Sequence, residues 1–338
     1  LGATKASHPL ALTLLGLLIL ASSPVRGEEQ PLVVAVSIEP LASFVEAVGE
    51  PYIQVVSLVP EGVEFHEYLL QAADIEQASR ADLLVVTGHL AWEAQLITAV
   101  GRSVTVLDLL HDLKGKLLLR TLPSGGLNLH GWWLHPANAV VIVEALADIL
   151  GRLDPARAEL YALKAQGFRD RVAKLNASLA AAASWLASKE VVALSPAEQY
   201  LAEAMGLRVG VILIEGEGFE VLPSHVEAAR RGLLEGQYGA IILSESGLRL
   251  PGAAWARQLA REVGVPLLLV RTLSVSSVRS YEALLAYNAG LVAGGGTTPK
   301  VREEVGGMDV AAPLLIALGL VAGVEGVILW RRSKQAAH

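Results

Sequence analysis

The stretch ARAELYALKAQGFRDRVAKLNASLAAAASWLA, residues 156–187, decides the architecture of this chain. It holds no proline, and glycine only at Gly167. Tyr161, Ala165, Phe168, Val172, Leu175, Leu179, Ala182 and Leu186 recur at alternating spacings of four and three, which draws one apolar stripe along a helix. Asp154-Pro155 starts it, with aspartate as N-cap and proline at the first helical position. A coiled coil would need partner heptads over a longer run. The reading is therefore a single backbone helix, 154–188, packed across what flanks it and limiting hinge motion.

Short apolar runs lie on both sides of that helix. Four precede it, at 32–36, 53–58, 82–87 and 103–107; four follow, at 190–194, 208–214, 239–243 and 266–270. They are continuous rather than alternating, as in parallel strands buried on both faces. Helical stretches at 91–100, 224–234 and 252–263 alternate with them. The expected fold class is α/β: an N-terminal lobe at 28–153 and a C-terminal lobe at 189–293, each with a parallel four-stranded sheet, joined by the long helix.

The ends read differently. Lys5, the apolar run 10–21 and a small-residue stretch to Gly27 make a signal-peptide plan for residues 1–27. Residues 294–309 begin with Gly294-Gly295-Gly296 and read as a tether. Residues 310–330 carry Glu325 as their single charge and, as a helix, would reach roughly 31 Å, enough for a transmembrane anchor. Arg331, Arg332 and Lys334 then place the basic tail 331–338 in the cytoplasm. The expectation is a single-pass protein of the cell membrane with its lobes outside the cytoplasm. The chain has no cysteine for a lipid anchor, which points to an archaeal kind of cell.

Composition narrows the chemistry. Without cysteine there is neither a disulfide framework nor a thiolate metal site, so any metal rests on imidazole and carboxylate. A formal net charge of −7 carries no nucleic-acid footprint. The residues Glu61-Gly62-Val63-Glu64-Phe65-His66-Glu67-Tyr68 set one histidine among three carboxylates just after a strand. His89 follows another strand, where it caps the helix from Ala91 or supports a ligand. Ser195-Pro196-Ala197-Glu198 is a capping box, as is Ser224-His225-Val226-Glu227, where His225 reads as solvated.

Taken together, SLVPEGVEFHEYLLQAADIEQASRADLLVVTGHLAWE, HGWWLHPANA and AEQYLAEAMGL, in this order, resemble the zinc- and manganese-binding receptors of ABC transporters that have a rigid helical backbone. The resemblance covers residues 31–292. It implies four side chains from both lobes closing on one ion. His66 matches the first family histidine and His130 the second, although an inserted tryptophan leaves His135 as a rival. The third position falls on Ser195, where Glu198 either caps the helix or turns inward as substitute. The fourth falls beside Glu245, which is the ligand with a shifted loop unless Ser244 replaces it. The expected metal set is thus His66, His130, Glu245 and Glu198, and the cargo is zinc or manganese. The implied partners are an ABC permease and its ATPase, with the membrane reached through the C-terminal helix.

Three rivals remain at this level. An enzyme would need a metalloprotease helix motif, a nucleophile elbow or a phosphate-binding glycine loop, and none occurs. A receptor for a metal chelate or cobalamin-like ligand would lean on Trp132 and Trp133. A surface interaction protein would have lost metal binding altogether.

Overall fold

The eight apolar runs are strands, and every pairing among them is parallel. The computed structural model describes residues 31–215, 220–272 and 278–295. In the N-terminal lobe, β1 (Leu32–Val36), α1 (Glu39–Gly49), β2 (Ile53–Ser57), α2 (Ala72–Ser79), β3 (Leu83–Val86), α3 (Ala91–Val100), β4 (Thr105–Asp108) and the short α4 (Leu109–Asp112) follow one another. Their sheet order is β2-β1-β3-β4. A small antiparallel hairpin, β5 (Arg120–Thr121) and β6 (Leu127–Asn128), leads into α5 (Pro136–Leu153) and the backbone helix α6 (Ala158–Ala182). The C-terminal lobe holds β7 (Glu190–Ala193), α7 (Ala197–Ala204), β8 (Arg208–Ile212), α8 (Pro223–Leu234), β9 (Ile241–Ser244), α9 (Gly252–Val263), β10 (Leu267–Val270) and α10 (Tyr281–Ala293).

The C-terminal sheet runs β10-β9-β7-β8, so both lobes share one winding, the first strand lying between the second and third. In such sheets the chain reverses direction beside the first strand, and ligands sit in the crevice outside the carboxyl ends there. The winding therefore places the site before any side chain is considered.

Helix α6 buries the stripe expected of it, from Tyr161 through Phe168 and Val172 to Leu179, with Leu175 half-buried. It packs on α1, α5 and α10. Phe44 of α1, Phe168 of α6 and Tyr281 of α10 meet with ring centres 5.2–6.5 Å apart, which ties both lobes to the backbone helix. A buried ring of this size is worth up to roughly 3 kcal/mol. The start of the helix differs from expectation: Pro155–Arg157 form a 3-10 turn, and Asp154 does not cap. Its carboxylate instead accepts from Arg157 Nη1 and Tyr161 Oη, each at 2.8 Å.

One hydrophobic core runs from the N-terminal sheet through α5 and α6 to one face of the C-terminal sheet. The period of two along β7 shows the division: Val191 and Ala193 join that core, while Val192 and Leu194 face a second one. The lobes thus share one core across α6.

The leader expected at 1–27, the membrane anchor at 310–330 and the basic tail lie outside the described residues, as does the tether beyond Gly295. Among the described residues no helix is long and apolar enough to cross a membrane.

Candidate metal centre

The carboxyl ends of both sheets open on one cavity of about 380 Å3. His66 reaches it from the loop after β2. That loop is pinned by Trp92 Nε1, which donates to the Phe65 carbonyl at 2.8 Å, and by the Tyr68 hydroxyl, which donates to Asp74 at 2.9 Å. Phe65 packs against the His66 ring at 4.5 Å between centres. Glu64 Oε1 stands 2.7 Å from His66 Nδ1 and also accepts from the His66 backbone N–H. That bond with His66 holds the Glu64 carboxyl below its usual range, against the opposing effect of burial. A carboxylate only accepts, so Nδ1 carries the ring proton and Nε2 keeps its lone pair toward the cavity. This carboxylate–imidazole arrangement is the usual support of a metal-binding histidine.

His130 faces it from the other side, its Nδ1 3.1 Å from His66 Nε2. The segment carrying His130 is held by the C-terminal lobe. Asn128 accepts the His130 N–H and donates to Pro196 O and Gln199 Oε1, and the buried Tyr200 hydroxyl bonds the hairpin backbone at Arg120 and Asn128. Gly131 has φ +71, and a Cβ there would lie 3.1 Å from that of Ala197. A side chain at this position would be strained and would push the strap off α7.

A third imidazole stands beside these two. His89 follows β3 and Gly88, whose φ is +85 and whose added Cβ would meet Asp108 Oδ1 at 2.1 Å. The cap expected of His89 is made by Glu93, which accepts from the N–H groups of Thr87, Gly88 and Leu90 and from the Thr87 hydroxyl. The His89 ring lies 6.0 Å from that of His66 and 6.4 Å from that of His130, while those two are 5.0 Å apart. Both its nitrogens are buried without a hydrogen-bond partner, which costs about 1–3 kcal/mol for each group so left. Burial first, then His66 and His130, push its pKa down to about 3, so the ring is neutral.

The C-terminal lobe faces these rings with hydroxyls: Ser195, Ser244, Ser246 and Thr272. Glu198 is fully buried behind them. Its Oε2 accepts from Ser195 N and Oγ, both at 2.6 Å, and its Oε1 from Ser244 N at 2.9 Å. Burial raises its pKa against those bonds. Glu245 turns away to Arg271 Nε at 2.6 Å and the Tyr287 hydroxyl at 2.9 Å. His135 caps α5 through Nδ1 and does not line the cavity. His225 is not solvated but donates from Nδ1 to Ile212 O at 2.7 Å. Of the expected metal set the structure brings together His66 and His130, and it leaves Glu198 and Glu245 committed elsewhere. As the side chains stand, no group of three or more His, Cys, Asp or Glu among the described residues is placed to hold an ion. His89 could have been found from its position directly after a strand at the carboxyl edge, the one signal the sequence carries for it.

Known proteins share this fold. The family described as zinc-uptake complex component A, periplasmic (ZnuA), matches residues 34–293. The iron-binding protein YfeA of Yersinia pestis is 27% identical over 156 residues, 45% of this chain and 50% of that protein. The chain thus spans about half the length of this curated relative. The structure of the SBP FpvC from Pseudomonas aeruginosa in complex with Mn2+ superposes with a TM-score of 0.64 at 26% identity, over 78% of this chain and 97% of that one. A periplasmic metal binding protein from Candidatus Liberibacter asiaticus, at 20% identity, shares the fold with a TM-score of 0.66 over 78% and 98% of the two chains. The family is one of periplasmic components, which overturns the location expected from the terminal apolar run, a single-pass protein held in the cell membrane of an archaeal kind of cell. Hydropathy, the basic tail and the missing cysteine carried that expectation, and the membrane contact expected through the C-terminal helix has no support either. The chain belongs to the ZnuA family of periplasmic metal-binding receptors, which serve ABC uptake systems and are not enzymes.

Proposed function

We propose that this protein captures a bare divalent transition-metal ion, zinc in preference to manganese, in the cleft between its lobes and hands it to an ABC permease driven by an ATPase. The reading rests on one observation above others. His66 Nε2 and His130 Nδ1 face each other at 3.1 Å, with the Glu64 carboxylate behind His66. Two imidazole nitrogens on one tetrahedral zinc ion stand roughly 3.3 Å apart, given zinc–nitrogen bonds of about 2.0–2.1 Å. The ion would thus take the place of the proton now shared by the pair.

Zinc is favoured over manganese because three imidazoles line the cavity, those of His66, His89 and His130, against the two carboxylates of Glu64 and Glu67. Imidazole suits zinc, whereas manganese prefers oxygen donors. His66 and His130 are the proposed ligands, and Glu198 and Glu245 serve the scaffold instead. Trp132 is sealed in the core and cannot stack on a chelate, whereas Trp133 lines the cavity with its ring packed beside His89.

Calorimetric titration of the purified protein with zinc and with manganese tests the proposal. Zinc is expected to bind more tightly, and His66→Ala to weaken it by more than about 100-fold, beyond what loss of an outer support costs. A folded protein that binds neither ion would defeat the reading and direct the search to chelates.

A further inference from the structure

The two positions at which the resemblance places C-terminal ligands hold Ser195 and Ser244, and each is tied down by hydrogen bonds. Ser195 Oγ donates to Glu198, and Ser244 Oγ accepts the Gly247 N–H at 3.0 Å while pairing with Ser246 at 3.2 Å. Neutral hydroxyls in such bonds are poor zinc ligands beside imidazole. An ion held by His66 and His130 would therefore find no third donor at these serines, while Glu64 is bonded to His66 and Glu67 is exposed.

We propose that His89 supplies the third donor, so that the ion is held by three imidazoles from residues 66 to 130, with no side-chain ligand among the described residues of the C-terminal lobe. The inference rests on the metal-receptor reading above and names the ligand set of that site. Three observations carry it. First, the spacing is right to within a side-chain rotation. Three imidazoles on one tetrahedral ion place their ring centres roughly 5 Å apart; the pair His66–His130 stands at 5.0 Å already, and His89 at 6.0 and 6.4 Å. Second, both nitrogens of His89 are buried without a partner. A histidine kept for packing would ordinarily donate one N–H to a carbonyl, as His225 does, because leaving both unpaired carries a cost with no return. Third, the backbone under His89 is built. Glu93 holds the N–H groups on either side, Gly88 lets the chain pass Asp108, and Trp133 packs on the ring at 5.9 Å. Such a shell holds a ring in place, as a preorganised ligand requires.

The consequence is a one-sided site. The remaining position on the ion would be left to water or another small oxygen donor, with the hydroxyls of Ser195, Ser244, Ser246 and Thr272 also lining the cavity. Closure of the lobes would then shield the ion rather than ligate it.

The test loads the full chain with a spin-active cadmium isotope and reads through-bond coupling to the histidine rings by nuclear magnetic resonance. Zinc affinities of His89→Ala, His89→Gln and His66→Ala are measured in parallel, with thermal melts of the metal-free proteins as a control on folding. Coupling to His66, His89 and His130, with at least about a tenfold loss of zinc affinity in both His89 variants, is the expected result. Binding that is lost in His66→Ala, with no cadmium coupling to His89 and unchanged affinity in its variants, would overturn this inference and leave the receptor reading intact. A wild-type protein that binds no metal would overturn both. A His89→Ala chain that fails to fold leaves the coupling in the wild-type protein as the deciding readout.

Discussion

The two lobes wind the same way and use the same device, a buried glutamate in the first turn of a helix, yet they present different chemistry to the cleft. In the N-terminal lobe Glu93 gathers the loop after β3 and sets His89 above it. In the C-terminal lobe Glu198 gathers the loop after β7, reaches across to β9, and sets Ser195 and Ser244 there. Scaffold and donor are thus separable: the carboxylate that looks like a ligand in the sequence is consumed in holding the backbone, and the residue beside it decides what the cleft offers. A buried carboxylate with several N–H donors is a fixture of the fold, because turning it into the cavity would leave all of those donors unpaired.

The comparison can be broken most directly at those two glutamates. Glu93→Ala and Glu198→Ala each strip an acceptor from several buried donors and are expected to cost on the order of 3 kcal/mol of stability, read by denaturant unfolding. They should part company in metal affinity. The Glu93 variant loosens His89 directly and loses zinc affinity, whereas the Glu198 variant reaches His130 only through the Pro196–Asn128 contact and loses less. Equal losses of affinity would mean that the C-terminal wall takes part in binding.

A smaller effect is expected at Glu64, which has no counterpart across the cleft among the described residues. Glu64→Gln leaves the ring of His66 in place but removes the charge behind it, and should cost about 10–100-fold in zinc affinity by titration with little change in melting temperature.

The smallest concerns Glu39 and Glu198, the carboxylates that follow the first strand of each sheet. Glu198 is met by three donors, while Glu39 lies half-buried near Glu61 and Glu46. Burial first, then those two neighbours, push the Glu39 pKa from 4.5 up to about 7, against the pull of Arg279. The folded chain holds this proton where the unfolded chain has released it, so stability falls as pH rises from about 4.5 to about 7. Glu39→Gln should be neutral at the acid end of that window. Above it the gain should reach on the order of 1 kcal/mol after solvent screening is allowed for, seen as melting curves that diverge with pH.

Much of the architecture is legible along the chain. The stripe from Tyr161 to Leu186 and the eight apolar runs name two parallel sheets and a helix between them, because periodicity is a local property that burial imposes on neighbours in sequence. The place of His66 at the cavity was legible too, since it lies in the loop just after a strand, with Glu64 two residues away. The terminal apolar run misled on location, because hydropathy reports apolarity without saying where a chain resides.

What no local pattern could decide is which way a side chain faces. Glu198 and Glu245 stand beside the family's ligand positions; the Ser195–Glu198 capping box was legible locally, but the bonds to Ser244, 46 residues from Glu198, and to Arg271, 26 from Glu245, were not. His89 reads as a helix cap until Glu93 is seen to make the cap and the ring is seen to stand near His66 and His130. Strand order and helix placement follow from patterns that short-range sterics and burial write into the chain. Which donors reach the cavity is settled by long-range hydrogen bonds that form only once the two sheets are packed against one backbone helix.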